Sequence, residues 1–188
     1  MKSPYFVNLK PYFNFRAVYS NDTTNDGEVP RFSQKYFKFG MIAGDGVAAR
    51  FGHNSEYKDS IVCARQSIMI ESIPCDDVVV LGTCCWGAYA EKFQLVFSDG
   101  TEDVAEARYL DWCWPLPSYE LEFTQQRAWL LSYGRVFTKY PKFNGAPGED
   151  YIFYTKTELS IKRRNLKQII LPNIFMNIFA ITLYAGEE

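Results

Sequence analysis

The stretch "KFQLVFSDGTEDVAEARYLDWCWP", residues 92–115, decides the fold class. A run of strand-forming residues, 92–97, leads into Asp99-Gly100, and a second such run follows. Asp-Gly between two strand-like runs is the strongest short-range signal of a β-hairpin, because both central residues of a type I′ turn need a positive φ. We therefore predict a β-hairpin with a type I′ turn at this position.

The rest of the chain shows the same strand-and-turn pattern. Aromatic residues make up 17% of the 188 residues, and nine Pro and twelve Gly separate the apolar runs. The run "DVVVLGTCCWG", 77–87, is continuously apolar, as in a strand buried on both faces. About ten short strands at regular spacing predict an all-β fold. We expect residues 1–188 to form a single-domain antiparallel β-sandwich or jelly roll with at most one short helix, over 123–134.

Charge and apolar runs limit the classes of partner. The formal net charge is −2, which gives no electrostatic reason to expect nucleic acid or an anionic membrane. No apolar run reaches the length of a membrane span, and residues 1–13 contain no uninterrupted apolar core of a signal peptide. Most of the five cysteines lie in apolar runs, as is typical of a reducing compartment. We predict a cytoplasmic protein without nucleic-acid or membrane partners.

The carboxylates after the turn have two interpretations. Glu102 and Glu106 share one face of the second arm, where they could form the acid pair of a glycosidase. Alternating acids also mark the solvent face of an edge strand, which is the commoner outcome. The single histidine, His53, lies in a predicted loop, and no nucleophile is marked by the sequence. We therefore predict no catalytic residues.

The aromatic end of the stretch favours binding as much as packing. Trp112 and Trp114 project to one side of an extended segment, with Tyr109 in register. One tryptophan commonly fills a sandwich core, whereas several rings on one face can stack on the C–H faces of a sugar. Asp111 beside them could bond to sugar hydroxyls. Core packing and a ligand platform are both open at this point.

The loop "NDTTNDGE", 21–28, has part of a calcium-binding pattern. Asp22, Thr24 and Asp26 alternate before a glycine, but Ser33 stands where the closing bidentate glutamate is needed. A loop rich in turn formers is the alternative. Ca²⁺ is the one cofactor that the sequence suggests.

Two segments resemble β-sandwich modules appended to bacterial glycoside hydrolases. They are "SIMIESIPCDDVVVLGTCCWGAYAEKFQLVFSDGTEDVAEARYLDW", 67–112, and "IILPNIFMNIFAITL", 169–183. The chain looks like the galactose-binding-like jelly roll, whose members are mostly carbohydrate-binding or accessory. The resemblance implies a turn at Asp99-Gly100 and a strand closed by Asp111-Trp112, and it matches Trp86, with no catalytic task for any of them.

Three functions are consistent with these features. The first is a non-catalytic carbohydrate-binding or glycan-associated module, with polar contacts from Asp111 and from Asp22 and Asn25. Its aromatic platform comprises Trp86, Tyr109, Trp112 and Trp114. The second is a small cytoplasmic glycosidase-like enzyme using Glu102, Glu106 or Asp111. The third is a protein-interaction or assembly module, with a homo-oligomer as its form.

Overall fold

The computed structural model describes most of the chain. The described residues are 3–19, 32–34, 37, 39–44, 47–85, 87, 89–109, 111–112, 134–141, 149–160 and 163–185. Trp86, Trp114 and the predicted calcium ligands Asp22, Thr24 and Asp26 lie outside them, as does the predicted helix except for its last residue. That residue, Gly134, begins a strand.

Fourteen strands form the described part of the chain, and its only helical element is a 3-10 turn at Lys10–Tyr12. The strands are β1 Ser3–Phe6, β2 Val18–Tyr19, β3 Phe32–Ser33, β4 Gly40–Gly44, β5 Val47–Phe51, β6 Ile61–Val62, β7 Ser67–Cys75, β8 Asp77–Cys84, β9 Tyr89–Phe97, β10 Glu102–Tyr109, β11 Gly134–Pro141, β12 Glu149–Glu158, β13 Arg164–Ile170 and β14 Met176–Ala185.

Two antiparallel sheets carry the architecture. A six-stranded sheet has the order β1-β14-β8-β12-β11, with β6 also paired to β14. A four-stranded sheet has the order β10-β9-β13-β7. Two small sheets complete the structure, a parallel β2-β3 pair and an antiparallel β4-β5 hairpin. The all-β antiparallel prediction is confirmed, while the jelly-roll connectivity stays a prediction.

The apolar run at 77–84 forms the centre of the larger sheet, as its sequence predicts. Every residue of β8 is buried, and β8 pairs with β14 on one side and β12 on the other. Val78 and Val80 point into one hydrophobic cluster, and Val79 and Leu81 point into a second. Successive side chains of a strand face opposite sides of the sheet, so this strand contributes to two cores.

The first core lies between the two main sheets, where β8 and β14 meet Phe93, Leu95 and Phe97 of β9. The second covers the opposite face of the six-stranded sheet. There Phe32, Phe51 and residues of the two small sheets pack on β8, β12 and β14. Burial on both faces explains why this sheet shows continuous apolar runs rather than strict alternation.

The predicted hairpin is present as β9 and β10, but its turn type is corrected. Phe97 pairs with Thr101, which leaves three residues in the loop, and only Gly100 of these has a positive φ, at 81°. The side chain of Asp99 accepts the backbone N–H of Thr101 at 2.9 Å and its hydroxyl at 2.5 Å. This local bonding holds Asp99 at negative φ, so the loop is the three-residue kind with glycine in the left-handed position.

No helix among the described residues is long and apolar enough to cross a membrane.

Candidate functional site

Tyr109, the first ring of the predicted platform, lies in the core between the sheets. Its exposed fraction is 0%, and its hydroxyl donates to the carbonyl of Val80 at 2.7 Å. Its ring also lies against Gly82, where an added Cβ would be 2.9 Å from Tyr109 Cε2. Burial raises the pKa of the Tyr109 hydroxyl well above its usual value. Neither face of this ring is open to solvent.

Trp112 lies in the other core, on the opposite face of the six-stranded sheet. It is 2% exposed, and its ring meets Phe32 edge-on, with centroids 6.0 Å apart. Between the two open interpretations of this residue, the structure shows core packing. Tyr109 and Trp112 therefore do not share a surface, because the chain passes beside the end of β8 between them. The sequence predicts that Tyr109 and Trp112 belong to one binding surface, and the structure corrects this prediction.

Asp111 lies between Tyr109 and Trp112 in the chain and is itself buried. It forms an isolated bridge with Cys84, and its Oδ2 accepts the backbone N–H of Gly87 at 3.3 Å. Burial, with the nearby Asp111 charge, raises the pKa of the Cys84 thiol. These contacts indicate that Asp111 holds the chain in place at the end of the β9-β10 hairpin.

The arm carboxylates have structural partners. Glu102 accepts the side-chain amide of Gln94 at 2.7 Å, and Glu106 forms an ion pair with Arg108. Four residues along one strand place the Cα atoms of Glu102 and Glu106 about 13 Å apart. A glycosidase pair needs its carboxyl groups about 5–9.5 Å apart, and here each carboxylate is held by a partner of its own, Gln94 or Arg108. The geometry thus favours the solvent-face interpretation.

Metal ligands do not converge in the described part of the chain. No group of three His, Cys, Asp or Glu side chains is found there. The thiols of Cys63, Cys75, Cys84 and Cys85 are buried, and no disulfide joins any two of them.

An exposed aromatic surface lies elsewhere, on a turn at residues 53–58. Asn54 builds this turn, since its Oδ1 accepts the N–H groups of Glu56 at 2.9 Å and Lys58 at 3.0 Å. Its Nδ2 donates to the carbonyl of Phe13 at 3.3 Å, which ties the turn to the chain beside it. Tyr57 occupies a left-handed conformation, φ 59°, and is 63% exposed. The turn is therefore fixed in place while it presents a large ring to solvent.

Three rings are in contact in a row at this turn, with His53 in the middle. We call Phe39, His53 and Tyr57 the ring cluster. His53 and Tyr57 are stacked, with centroids 5.4 Å apart and planes 18° from parallel. Phe39 meets His53 edge-on at 5.1 Å and is itself 37% exposed. The guanidinium carbon of Arg16 lies over the Tyr57 ring, 5.9 Å from the ring centroid.

The small β4-β5 hairpin explains why these rings meet. Its register pairs Gly40 with Phe51, so the residues just beyond the pair, Phe39 and Gly52, approach each other. The ring of Phe37 lies 5.2 Å from Phe39 and 5.1 Å from Phe51, which connects the exposed ring to the second core.

A cleft of about 480 Å³ opens beside the ring cluster. Phe39 and His53 form part of its wall, and Phe6, Asn8, Lys10 and Arg50 are among its other lining residues. The volume lies within the range of small-ligand sites, about 300–1,000 Å³. Aromatic rings and a few polar groups at one opening are the arrangement that such sites use.

The sequence gives only weak signals for this site. His53 is predicted as a loop residue without a catalytic task, and its role as a ring between two others depends on residues 14 positions upstream and four downstream. The run "NSEY" at 54–57 predicts a turn, but the exposure of Tyr57 depends on the tertiary fold.

No protein-family model matches this chain, and no curated protein matches its sequence.

Proposed function

We propose that this chain is a non-catalytic carbohydrate-binding β-sandwich module of the galactose-binding-like kind that its sequence resembles. The binding surface is the ring cluster together with the adjoining cleft. This differs from the platform that the sequence predicts, because Tyr109 and Trp112 are core residues.

The observation that carries the proposal is the exposed stack of Tyr57 on His53. Aromatic side chains bury large apolar area with few rotatable bonds, so a fixed ring loses little entropy when a ligand stacks on it. A sugar ring offers an apolar C–H face for such stacking and hydroxyls around its edge. Asn8 and Lys10 line the cleft that adjoins this stack, and their side-chain groups can meet those hydroxyls.

The backbone at Tyr57 supports the same proposal. A bulky residue at positive φ is uncommon and costs about 1–3 kcal/mol, and such strain concentrates at functional sites. Glycine or asparagine would fit this position more easily. Arg65, Ser72 and Arg163 share this conformation, so the backbone at Tyr57 adds to the proposal only together with the exposure of the ring.

A glycan array, followed by calorimetric titration of each positive glycan, tests the proposal. We expect Tyr57→Ala to weaken binding by about tenfold or more, because the stacking face is removed. Phe175→Ala is the matched control, since Phe175 is 58% exposed and belongs neither to the ring cluster nor to the lining of the cleft. Circular dichroism checks that both variants fold. A protein that binds no glycan but dimerises with rising concentration would overturn the proposal in favour of an assembly module.

A further inference from the structure

The cleft beside the ring cluster is positively charged. Lys10 and Arg50 both line it, and both side chains are exposed. Among the described residues that line the cleft, none is Asp or Glu. The local charge is thus opposite in sign to the net charge of −2 of the whole chain. Screening limits the effect of distant charges to about 8–10 Å, so the local charge governs what enters.

Neither cation is neutralised within the described part of the chain. No ion pair there includes Lys10 or Arg50. The acidic side chains that follow His53 along the chain already have partners. Glu56 pairs with Lys58 at 2.6 Å, and Asp59 is buried against the backbone N–H groups of residues 17 and 18. The two cations are therefore available to a ligand.

Packing holds both cations near the cleft. The guanidinium carbon of Arg50 lies 5.0 Å from the ring centroid of Phe6, a cation–π contact that leaves its N–H edges free to donate. The Cε of Lys10 lies over Gly52, 3.4 Å from the position that a Cβ would take there. Groups that are positioned before binding lose less entropy when the ligand arrives.

We infer that the cleft takes an acidic sugar, one that carries a carboxylate or a sulfate group. This inference rests on the carbohydrate binding proposed above. The anionic group binds between Lys10 and Arg50, where the planar guanidinium matches two oxygens of a carboxylate or sulfate. The sugar ring then lies toward Phe39 and His53, which form the wall of the same cleft.

Calorimetric titration with paired ligands tests the inference. One pair is oligogalacturonate and its fully methyl-esterified form, and the other is a chondroitin sulfate oligosaccharide and its desulfated form. We expect at least one acidic ligand to bind about tenfold to a hundredfold more tightly than its partner, as the loss of charge-assisted hydrogen bonds predicts. Arg50→Gln should abolish that preference, Arg50→Lys should keep part of it, and rising salt should weaken it.

The control is Lys167→Gln, which removes an exposed cation of β13 outside the cleft and should leave the preference unchanged. Equal affinity for the acidic and neutral members of both pairs would overturn the inference and leave the proposed carbohydrate binding intact. Inorganic sulfate that binds as tightly as either oligosaccharide would also overturn it, because the site would then be a simple anion site. Failure of every glycan to bind would overturn both proposals.

Discussion

Arg164 and Asp103 join three strands of the four-stranded sheet. The guanidinium Nη2 of Arg164 on β13 lies 3.0 Å from Oδ2 of Asp103 on β10. To reach it, the guanidinium passes over Phe97 of β9, with its carbon 3.8 Å from the ring centroid. The hydroxyl of Ser160 donates to the same carboxylate oxygen at 2.8 Å. Asp103, a carboxylate on the second arm of the hairpin, is thus part of a structural contact.

Removal of this contact should cost stability. We expect Arg164→Ala to lower the free energy of unfolding by about 2–3 kcal/mol, because the partly buried Asp103 loses a charged partner. Urea denaturation measures the change, and Lys167→Ala on the same strand is the control, with an effect within about 0.5 kcal/mol. Equal effects of the two variants would show that the ion pair contributes nothing.

The Arg164 effect should also depend on pH. Burial raises the pKa of Asp103, but its hydrogen bonds to Ser160 and Val104 and the Arg164 charge outweigh this and lower the pKa overall. A lowered pKa in the folded state means that this stabilisation is complete above the unfolded pKa, 3.8, and is lost as pH falls through the folded value. The difference between the wild type and Arg164→Ala should therefore shrink below about pH 4.

Asp59 should give the opposite pH dependence. Burial raises the pKa of its carboxyl to about 6, although the N–H groups of Ala17 and Val18 bond to it at 2.8 and 2.9 Å. The folded protein then holds this proton more tightly than the unfolded chain does. The Asp59 contribution to the free energy of unfolding should fall by up to about 3 kcal/mol as pH rises from about 4 to 6.

Denaturation of wild type and Asp59→Asn at several pH values between 4 and 7 measures this contribution. The asparagine variant should show a flatter dependence on pH, because it cannot titrate. Parallel curves for the two proteins would contradict the raised pKa.

Gly82 should tolerate no side chain. A Cβ there would lie 2.6 Å from the carbonyl oxygen of Asn177 and 2.9 Å from the Tyr109 ring. We expect Gly82→Ala to cost about 1–3 kcal/mol or more, since the contact is with backbone that cannot turn away. Gly52→Ala is the control, because its Cβ would meet only the flexible side chain of Lys10, at 3.4 Å. Thermal denaturation of both variants should separate them by several degrees.

Tyr57 should show a trade-off between stability and binding. Tyr57→Gly relieves the positive φ and should raise the free energy of unfolding by up to about 1 kcal/mol while weakening glycan binding. Arg65→Gly is the matched control, since Arg65 has φ 60° and belongs neither to the ring cluster nor to the lining of the cleft. It should raise stability by a similar amount and leave binding unchanged. A Tyr57→Gly variant that is destabilised and still binds glycan would show that this ring is structural.

The sequence predicts the strands better than it predicts the surface. The β9-β10 hairpin and the buried β8 follow from local alternation and turn residues, which are encoded within about ten positions. The platform prediction puts Tyr109 on a binding surface, and the structure corrects it, because Tyr109 shares the core face of β10 with Ala105 and Ala107. The position of Trp112 could not be predicted, because it depends on the bridge between Asp111 and Cys84, 27 residues apart in the printed sequence.

The ring cluster could not be predicted for the same physical reason. Phe39 and Tyr57 come from separate segments that meet through the β4-β5 register and the bond from Asn54 to Phe13. Neither contact leaves a periodic pattern in the chain. Exposure of an aromatic ring depends on what packs over it, which is a property of the whole fold.

Mapping a bound glycan by ¹H–¹⁵N NMR is the most direct test of the proposed function. On addition of an oligosaccharide that binds, we predict the largest shifts at the backbone amides of Phe39, Gly52, His53 and Tyr57, with the indole signal of Trp112 unchanged. Shifts concentrated at Asp111, Trp112 and the indole N–H groups, with residues 52–57 unaffected, would contradict the account and return the binding site to the end of the β9-β10 hairpin.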